Sequence, residues 1–236
     1  NRSYLRTRVS ETLGLLYADH FPYRQFASAR GVRRSPIHHF LEDQGACFGE
    51  AAGWERANWF LPEEAVHAGK TASYEYSWKR QNWFDYSAAE HLAVRKSVGL
   101  FDMSSFGKIK LVGRDAEAVL QRIAANDVAV PVGKIVYTQF LNEAGHIEAD
   151  VTITRLADDE FLVVTPAATI RRDLHWITSH IPDDAHAHAI DMTISESVLM
   201  VMGPLARQFL QPLIPQSLAN DDFAFGTMQP IEIGHA

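Results

Sequence analysis

Residues 137–176 read YTQFLNEAGHIEADVTITRLADDEFLVVTPAATIRRDLHW, and the spacing in this stretch decides the fold. Three runs rich in Val, Ile, Thr, Tyr and Phe, at 135–141, 151–156 and 160–165, are separated by Asn142-Glu-Ala-Gly145 and Ala157-Asp-Asp159. Turn residues between β-branched and aromatic runs predict a strand meander. Ile170, Leu174 and Ile177 then recur at helical spacing, so a helix follows the meander. Asp150 falls at the head of the second run, before Val151 and Ile153. An acid there is either a solvated strand-start residue or a carboxylate aimed into a cleft.

Outward from this centre, the preceding segment continues the mixed pattern. Phe106 to Val112 alternates Lys108 and Lys110 against Ile109 and Leu111, as a half-buried strand does. Asp115 is placed to cap a helix bearing Val119, Leu120 and Ile123. Ser87-Ala-Ala-Glu90 has the form of a capping box opening a helix that runs to Ser97, with Gly99 at its C-cap. Farther back, residues 61–83 read as a linker, and residues 29–60 are irregular but rich in large side chains. Ser3 to His20 predicts an amphipathic helix with Leu5, Val9, Leu13 and Leu16 on its apolar face. After Trp176 the pattern predicts a strand at 192–194, an apolar run at 198–202, a helix at 205–213, and a strand beginning near 230. The predicted class is α+β.

Composition bounds the chemistry. The chain has 236 residues, 47% hydrophobic and 22% charged, as in ordinary globular proteins. A formal net charge of −7 argues against a general nucleic-acid binder, which needs surplus Lys and Arg against phosphate. No apolar run reaches the ~18–20 residues of a membrane helix. One cysteine, Cys47, permits no intrachain disulfide and fits a reducing compartment, cytoplasmic or the mitochondrial matrix. It reads as a small core residue. His186-Ala-His188 beside Asp183, Asp184 and Asp191 is either solvated loop or metal cluster, and the expectation is no metal. Arg171 and Arg172 read as surface charges. No G-x-G occurs, so no dinucleotide-binding turn can be drawn.

Two sets of residues carry a family resemblance. Tyr137, Leu141, Asn142, Gly145, Ile147 and Asp150 match the hairpin pattern Y-x-x-x-L-N-x-x-G-G-I-x-D-D of the aminomethyltransferase family, the glycine-cleavage T-protein and its relatives. His146 and Ala149 depart from it, at the second glycine and first aspartate. Tyr4 to Phe60 carries Y-L-x-x-R-V-x-E-T-L-G, R-R-S-P-I and G-A-x-F-G-E-x-x-G-W-E-R-x-x-W-F. These resemble the central connector of flavin-dependent dimethylglycine and sarcosine dehydrogenases. The resemblance implies a connector at 1–60 and, at 61–236, the N-terminal part of a T-protein-like folate-binding domain. A Y-x-G-E-x-G-(W/F)-E segment expected beyond the last strand is not in the sequence, so the folate domain is expected to be C-terminally incomplete.

By the same resemblance the chain captures one carbon on tetrahydrofolate, after a flavin domain of the parent chain oxidises a small methylated amine. FAD would be bound mainly outside these residues. Asp150 would be the catalytic carboxylate, orienting the attacking nitrogen and stabilising the positive charge that develops beside the pterin and p-aminobenzoyl nitrogens. Tyr137, Phe106, Thr152 and Thr165 would contact the folate. Two other readings stay open: a free-standing aminomethyltransferase, which the connector disfavours, and a non-catalytic folate-binding module. No nucleic acid or membrane partner is expected.

Overall fold

The computed structural model describes residues 2–234. The chain forms two compact units, one running to Asp102 and including Leu199–Pro204, the other comprising Met103–Val198 and the chain from Leu205 onward. Among the described residues, no helix is long and apolar enough to cross a membrane.

The first unit opens with α1 (Arg2–Leu16), none of whose residues is buried. The expected apolar face is present, but it points outward: Leu5, Val9, Leu13 and Leu16 are exposed. Polar groups hold the helix instead. Arg8 donates to Glu50 at 2.6 Å and to the Ser28 carbonyl at 2.9 Å, and Glu11 accepts from the Ala27 and Ser28 amides. A short α2 (His38–Asp43) leads into β1 (Ala46–Ala51) and β2 (Trp54–Phe60), an antiparallel hairpin. This replaces the irregular stretch that spacing suggested. Its two-residue turn, Ala52-Gly53, has both residues at positive φ, +54° and +84°, which matches the twist of tight hairpins. Alanine at the first position hides that turn from a composition-based reading. Trp54 and Trp59 are buried.

The expected linker contains α3 (Glu63–His67), and α4 (Phe84–Lys96) begins three residues before the predicted capping box. Glu90 is not a capping partner: its carboxylate accepts the Phe60 amide at 2.8 Å. β3 (Gly99–Asp102) follows.

The second unit is a five-stranded antiparallel sheet with two helices on one face. In chain order come β4 (Gly107–Val112), α5 (Ala116–Ile123), β5 (Ile135–Leu141), β6 (Ile147–Ala157), β7 (Glu160–Thr165), α6 (Ile170–Ser179) and β8 (His188–Asp191). The strand order is β5-β6-β7-β4-β8. Side chains alternate across a sheet, and one face supplies Ile109, Leu111, Val136, Phe140, Val151, Ile153, Phe161 and Val163 to the core. Val119, Leu120 and Ile123 of α5 and Ile177 of α6 close that core. Each fully buried aliphatic or aromatic side chain contributes about 1.5–3 kcal/mol through area removed from water. The chain then returns to the first unit as β9 (Leu199–Met202), antiparallel to β3, before α7 (Ala206–Leu210). The expected strand at 192–194 is displaced to β8, and no strand forms near 230 among the described residues.

Candidate functional site

The helices leave the other sheet face of the second unit to polar groups. Register places Tyr137 opposite Thr152 and Gln139 opposite Asp150 on β5 and β6. Thr152 in turn pairs with Val164 of β7, and Val164 with Lys108 of β4. Tyr137, Thr152, Val164 and Lys108 therefore form one row across four strands, spanning about 14 Å at the usual strand separation. Asp150 and Gln139 stand in the next row.

Asp150 is not a strand-start residue. It is the fourth residue of β6, which begins at Ile147 because that residue already pairs with Leu141 of β5. Its carboxylate is exposed and accepts from Gln139 Nε2 at 3.2 Å. The same carboxylate, beside the Tyr137 phenol, holds that phenol above its ordinary pKa, with Gln139 opposing the shift. A carboxylate offers about four lone-pair directions, so acceptor capacity is left over for a ligand. Directly opposed and diagonal side chains on one face of an antiparallel pair lie close enough for such contacts.

The remaining expected site residues divide. Thr152 lies on this face, beside Tyr137. Phe106 is half-buried and enters β4, two strands from β6 and about 10 Å away across β7. Thr165 is not brought to this face. It pairs with Gly107 on the helix side, is 1% exposed, and its hydroxyl donates to the buried carboxylate of Asp173 on α6. Thr169 Oγ1 donates to the same carboxylate at 2.6 Å, and Arg172 Nε reaches it at 3.0 Å. The hydroxyl of Thr165 is thus engaged in fastening α6 to the sheet.

Two residues of the face escaped the reading of the sequence. Gln139 carried no signal, because a glutamine on the polar side of a strand is commonplace. Lys108 was expected on a half-buried strand's solvent side, yet it is 1% exposed. Its ammonium donates to the carbonyls of Ser104 at 2.8 Å and Phe106 at 3.0 Å. These contacts compensate the desolvated charge and tie down the turn that presents Phe106.

Elsewhere, Cys47 is buried and its thiol is pushed up to about 11 by desolvation, so it is an inert core residue. Among the described residues, no group of three or more His, Cys, Asp and Glu side chains is placed to hold a metal ion. Cavities of about 420 and 370 Å³ share Arg122 and His180 on the helical side of the sheet, away from Asp150.

The GCVT N-terminal domain matches residues 37–236, and the FAD dependent oxidoreductase central domain matches residues 1–35. The chain belongs to the GCVT family. It is 42% identical over its whole length to 4-methylaminobutanoate oxidase (formaldehyde-forming) of Paenarthrobacter nicotinovorans, and covers 28% of that protein. It is 30% identical over 95% of its length to mitochondrial sarcosine dehydrogenase of Homo sapiens, again covering 28%. The chain thus spans about a quarter of the length of these curated relatives. The crystal structure of glycine cleavage system aminomethyltransferase T from Bartonella henselae superposes with a TM-score of 0.66 over 84% of this chain and 47% of that one, at 23% identity. The GCVT portion therefore has the T-protein fold, mixed strand and helix. These two curated relatives are named as an oxidase and a dehydrogenase of methylated amines.

Proposed function

We propose that this GCVT chain captures, on tetrahydrofolate, the one-carbon unit that a flavin domain removes from a small N-methylated amine. The observation that carries the reading is the cross-strand cluster Tyr137, Gln139 and Asp150, standing on the sheet face that the helices leave open. The donor set fits a reduced pterin: Asp150 accepts from ring N–H groups, while the Gln139 amide, Tyr137 and Thr152 offer further polar contacts. Tetrahydrofolate, when bound, supplies the nucleophilic nitrogens that receive the carbon. Asp150 orients such a nitrogen through a charge-assisted hydrogen bond and stabilises the adjacent positive charge. Tyr137 and Gln139 keep the carboxylate in one rotamer, so little reorganisation remains at the moment of transfer. Phe106, held by Lys108, supplies an apolar wall.

Residues 1–60 serve in this reading as the connector to the flavin domain, and FAD is held outside the chain. The names of two relatives, 4-methylaminobutanoate oxidase and sarcosine dehydrogenase, support a substrate among N-methylated amino acids. The compartment is the bacterial cytoplasm, or the mitochondrial matrix by analogy with the sarcosine dehydrogenase relative. A second reading is favoured by one relative's formaldehyde-forming activity and by His146 and Ala149, which depart from the T-protein hairpin. There the carbon leaves as free formaldehyde and the folate face is idle. Calorimetric titration of the native full-length polypeptide with 5-formyltetrahydrofolate separates the two. Saturable binding weakened by Asp150→Asn supports capture; no binding supports release.

A further inference from the structure

The first unit contains a second candidate site, built from aromatic rings. Tyr23, Trp59, Tyr74 and Trp83 line a cavity of about 180 Å³, with Gln25 and Asn58 at its polar end. The rings stand in two near-perpendicular pairs: Tyr23 and Trp83 at 5.5 Å and 87°, Trp59 and Tyr74 at 6.3 Å and 86°. Two of them are braced from behind by stacking. Tyr86 lies against Trp59 at 5.5 Å and 5°, and Tyr76 against Tyr74 at 5.7 Å and 6°. Each brace occupies one ring face and leaves the other.

The polar end is equally fixed. Asn58 Nδ2 donates to the Tyr74 hydroxyl at 2.7 Å, and Gln25 Oε1 accepts the Glu50 amide at 3.1 Å. Residue 49 must be glycine for this arrangement, because a Cβ there would collide with both Asn58 Nδ2 and Gln25 Oε1. Trp59 Nε1 and Trp83 Nε1 are buried with no acceptor among the described residues. Buried donors are normally paired, so these tryptophans are placed for their rings and not for their N–H groups.

We infer that this cavity binds a methylated ammonium group. The negative faces of aromatic rings attract such cations, and perpendicular rings closing on one small space are how quaternary and methylated ammonium ligands are recognised. No lining residue is charged, so nothing at the wall repels a cation. The volume is about six water molecules, each about 30 Å³, which suits a compact headgroup and falls below the usual ~300–1,000 Å³ of drug-sized sites. A small methylated amine is the ligand class that fits, the same chemistry the proposed flavin reaction consumes. The site would hold it apart from that reaction. The assignment does not rest on the folate reading, since binding here is measured with neither folate nor flavin.

The test is calorimetric titration of the chain with choline and with its uncharged isostere 3,3-dimethylbutan-1-ol at constant ionic strength. Choline is expected to bind saturably and about 10-fold or more tighter than the isostere. Tyr23→Leu, at a ring that is 67% exposed and so spared by folding, is expected to weaken choline about 3- to 30-fold, while Tyr23→Phe retains it. Equal affinity for choline and the isostere, no saturable choline binding, or an unchanged affinity in Tyr23→Leu would each overturn the inference.

Discussion

Replacing Asp173 by alanine is expected to destabilise the second unit by about 2–4 kcal/mol. The carboxylate is 1% exposed and accepts from two threonine hydroxyls, those of Thr165 and Thr169. Hydrogen bonds to charged groups contribute about 1.5–3 kcal/mol each, and a buried hydroxyl left unpaired costs about 1–3 kcal/mol. The gross loss is therefore about 3–6 kcal/mol, the sum of two such bonds. Part is recovered, because Thr169 has the Pro166 carbonyl at 3.3 Å and lies 3.3 Å from Thr165 Oγ1. Arg172 is half exposed, so water replaces its lost contact and adds little. For a chain of this size, 1 kcal/mol shifts Tm by about 2–4 °C, giving a drop of about 5–15 °C. Thermal and urea unfolding followed by circular dichroism measure it. Thr165→Val combined with Asp173→Ala should cost less than the two separately, by about 1–2 kcal/mol, since both break one bond. A Tm shift under about 2 °C, or strict additivity, would refute the view that this carboxylate fastens α6 to the sheet.

Two further predictions follow from charge. Tyr137 should titrate above the ordinary phenol range when followed by its phenolate absorbance, and Asp150→Asn should return it toward that range; a wild-type phenol at its ordinary value would show that Asp150 does not stand beside Tyr137 in solution. Burial pushes the Glu55 carboxyl up, but hydrogen bonds from Arg30 and the Gly31 amide outweigh it and hold the group below its ordinary value. The folded chain thus binds fewer protons at Glu55 than the unfolded chain, and this stability is present above the ordinary Glu value of about 4.3 and is lost as pH falls. Glu55→Gln should remove part of that acid sensitivity and cost about 1–3 kcal/mol at neutral pH, since the half-buried Arg30 would lose its counter-ion while keeping the Phe26 and Phe48 carbonyls. An unchanged urea midpoint at pH 7 would contradict it.

The meander was legible because its strands obey a clean alternation. β5 and β7 fall where the spacing put them, since Val136, Phe140, Phe161 and Val163 face one core. β6 was read too short because its first residues lie at a solvated hairpin tip, where burial imposes no pattern. The Ala52-Gly53 hairpin was hidden by an alanine in a conformation that alanine seldom adopts. For α1 the periodicity gave the helix, and Arg8 and Glu11 supply the polar contacts that fasten it to the first unit. Of the candidate site, Tyr137 and Asp150 came from the hairpin pattern and Thr152 from its place on a neighbouring strand, and register puts the three on one sheet face. Thr165 was misjudged by face: β7 residues alternate, and only the pairing of Thr165 with Gly107 shows which side it takes. Gln139 and Lys108 depend on cross-strand neighbours and turn carbonyls, which a linear sequence does not display.

The measurement that bears most directly on one-carbon capture is the ratio of methylenetetrahydrofolate to free formaldehyde, during turnover of a methylated amine by the native full-length protein at saturating tetrahydrofolate. Asp150→Asn keeps the size of the side chain and removes its charge, and two unit charges at ~4 Å interact by about 4 kcal/mol at an effective dielectric near 20. After solvent screening of this exposed carboxylate, a loss of about 2 kcal/mol remains, or about 30-fold in transfer. The account predicts a wild-type ratio well above one, a ratio about 30-fold lower in Asp150→Asn, and the same rate of amine oxidation in both. A wild-type protein that releases only formaldehyde, or a ratio that Asp150→Asn leaves unchanged, would contradict it.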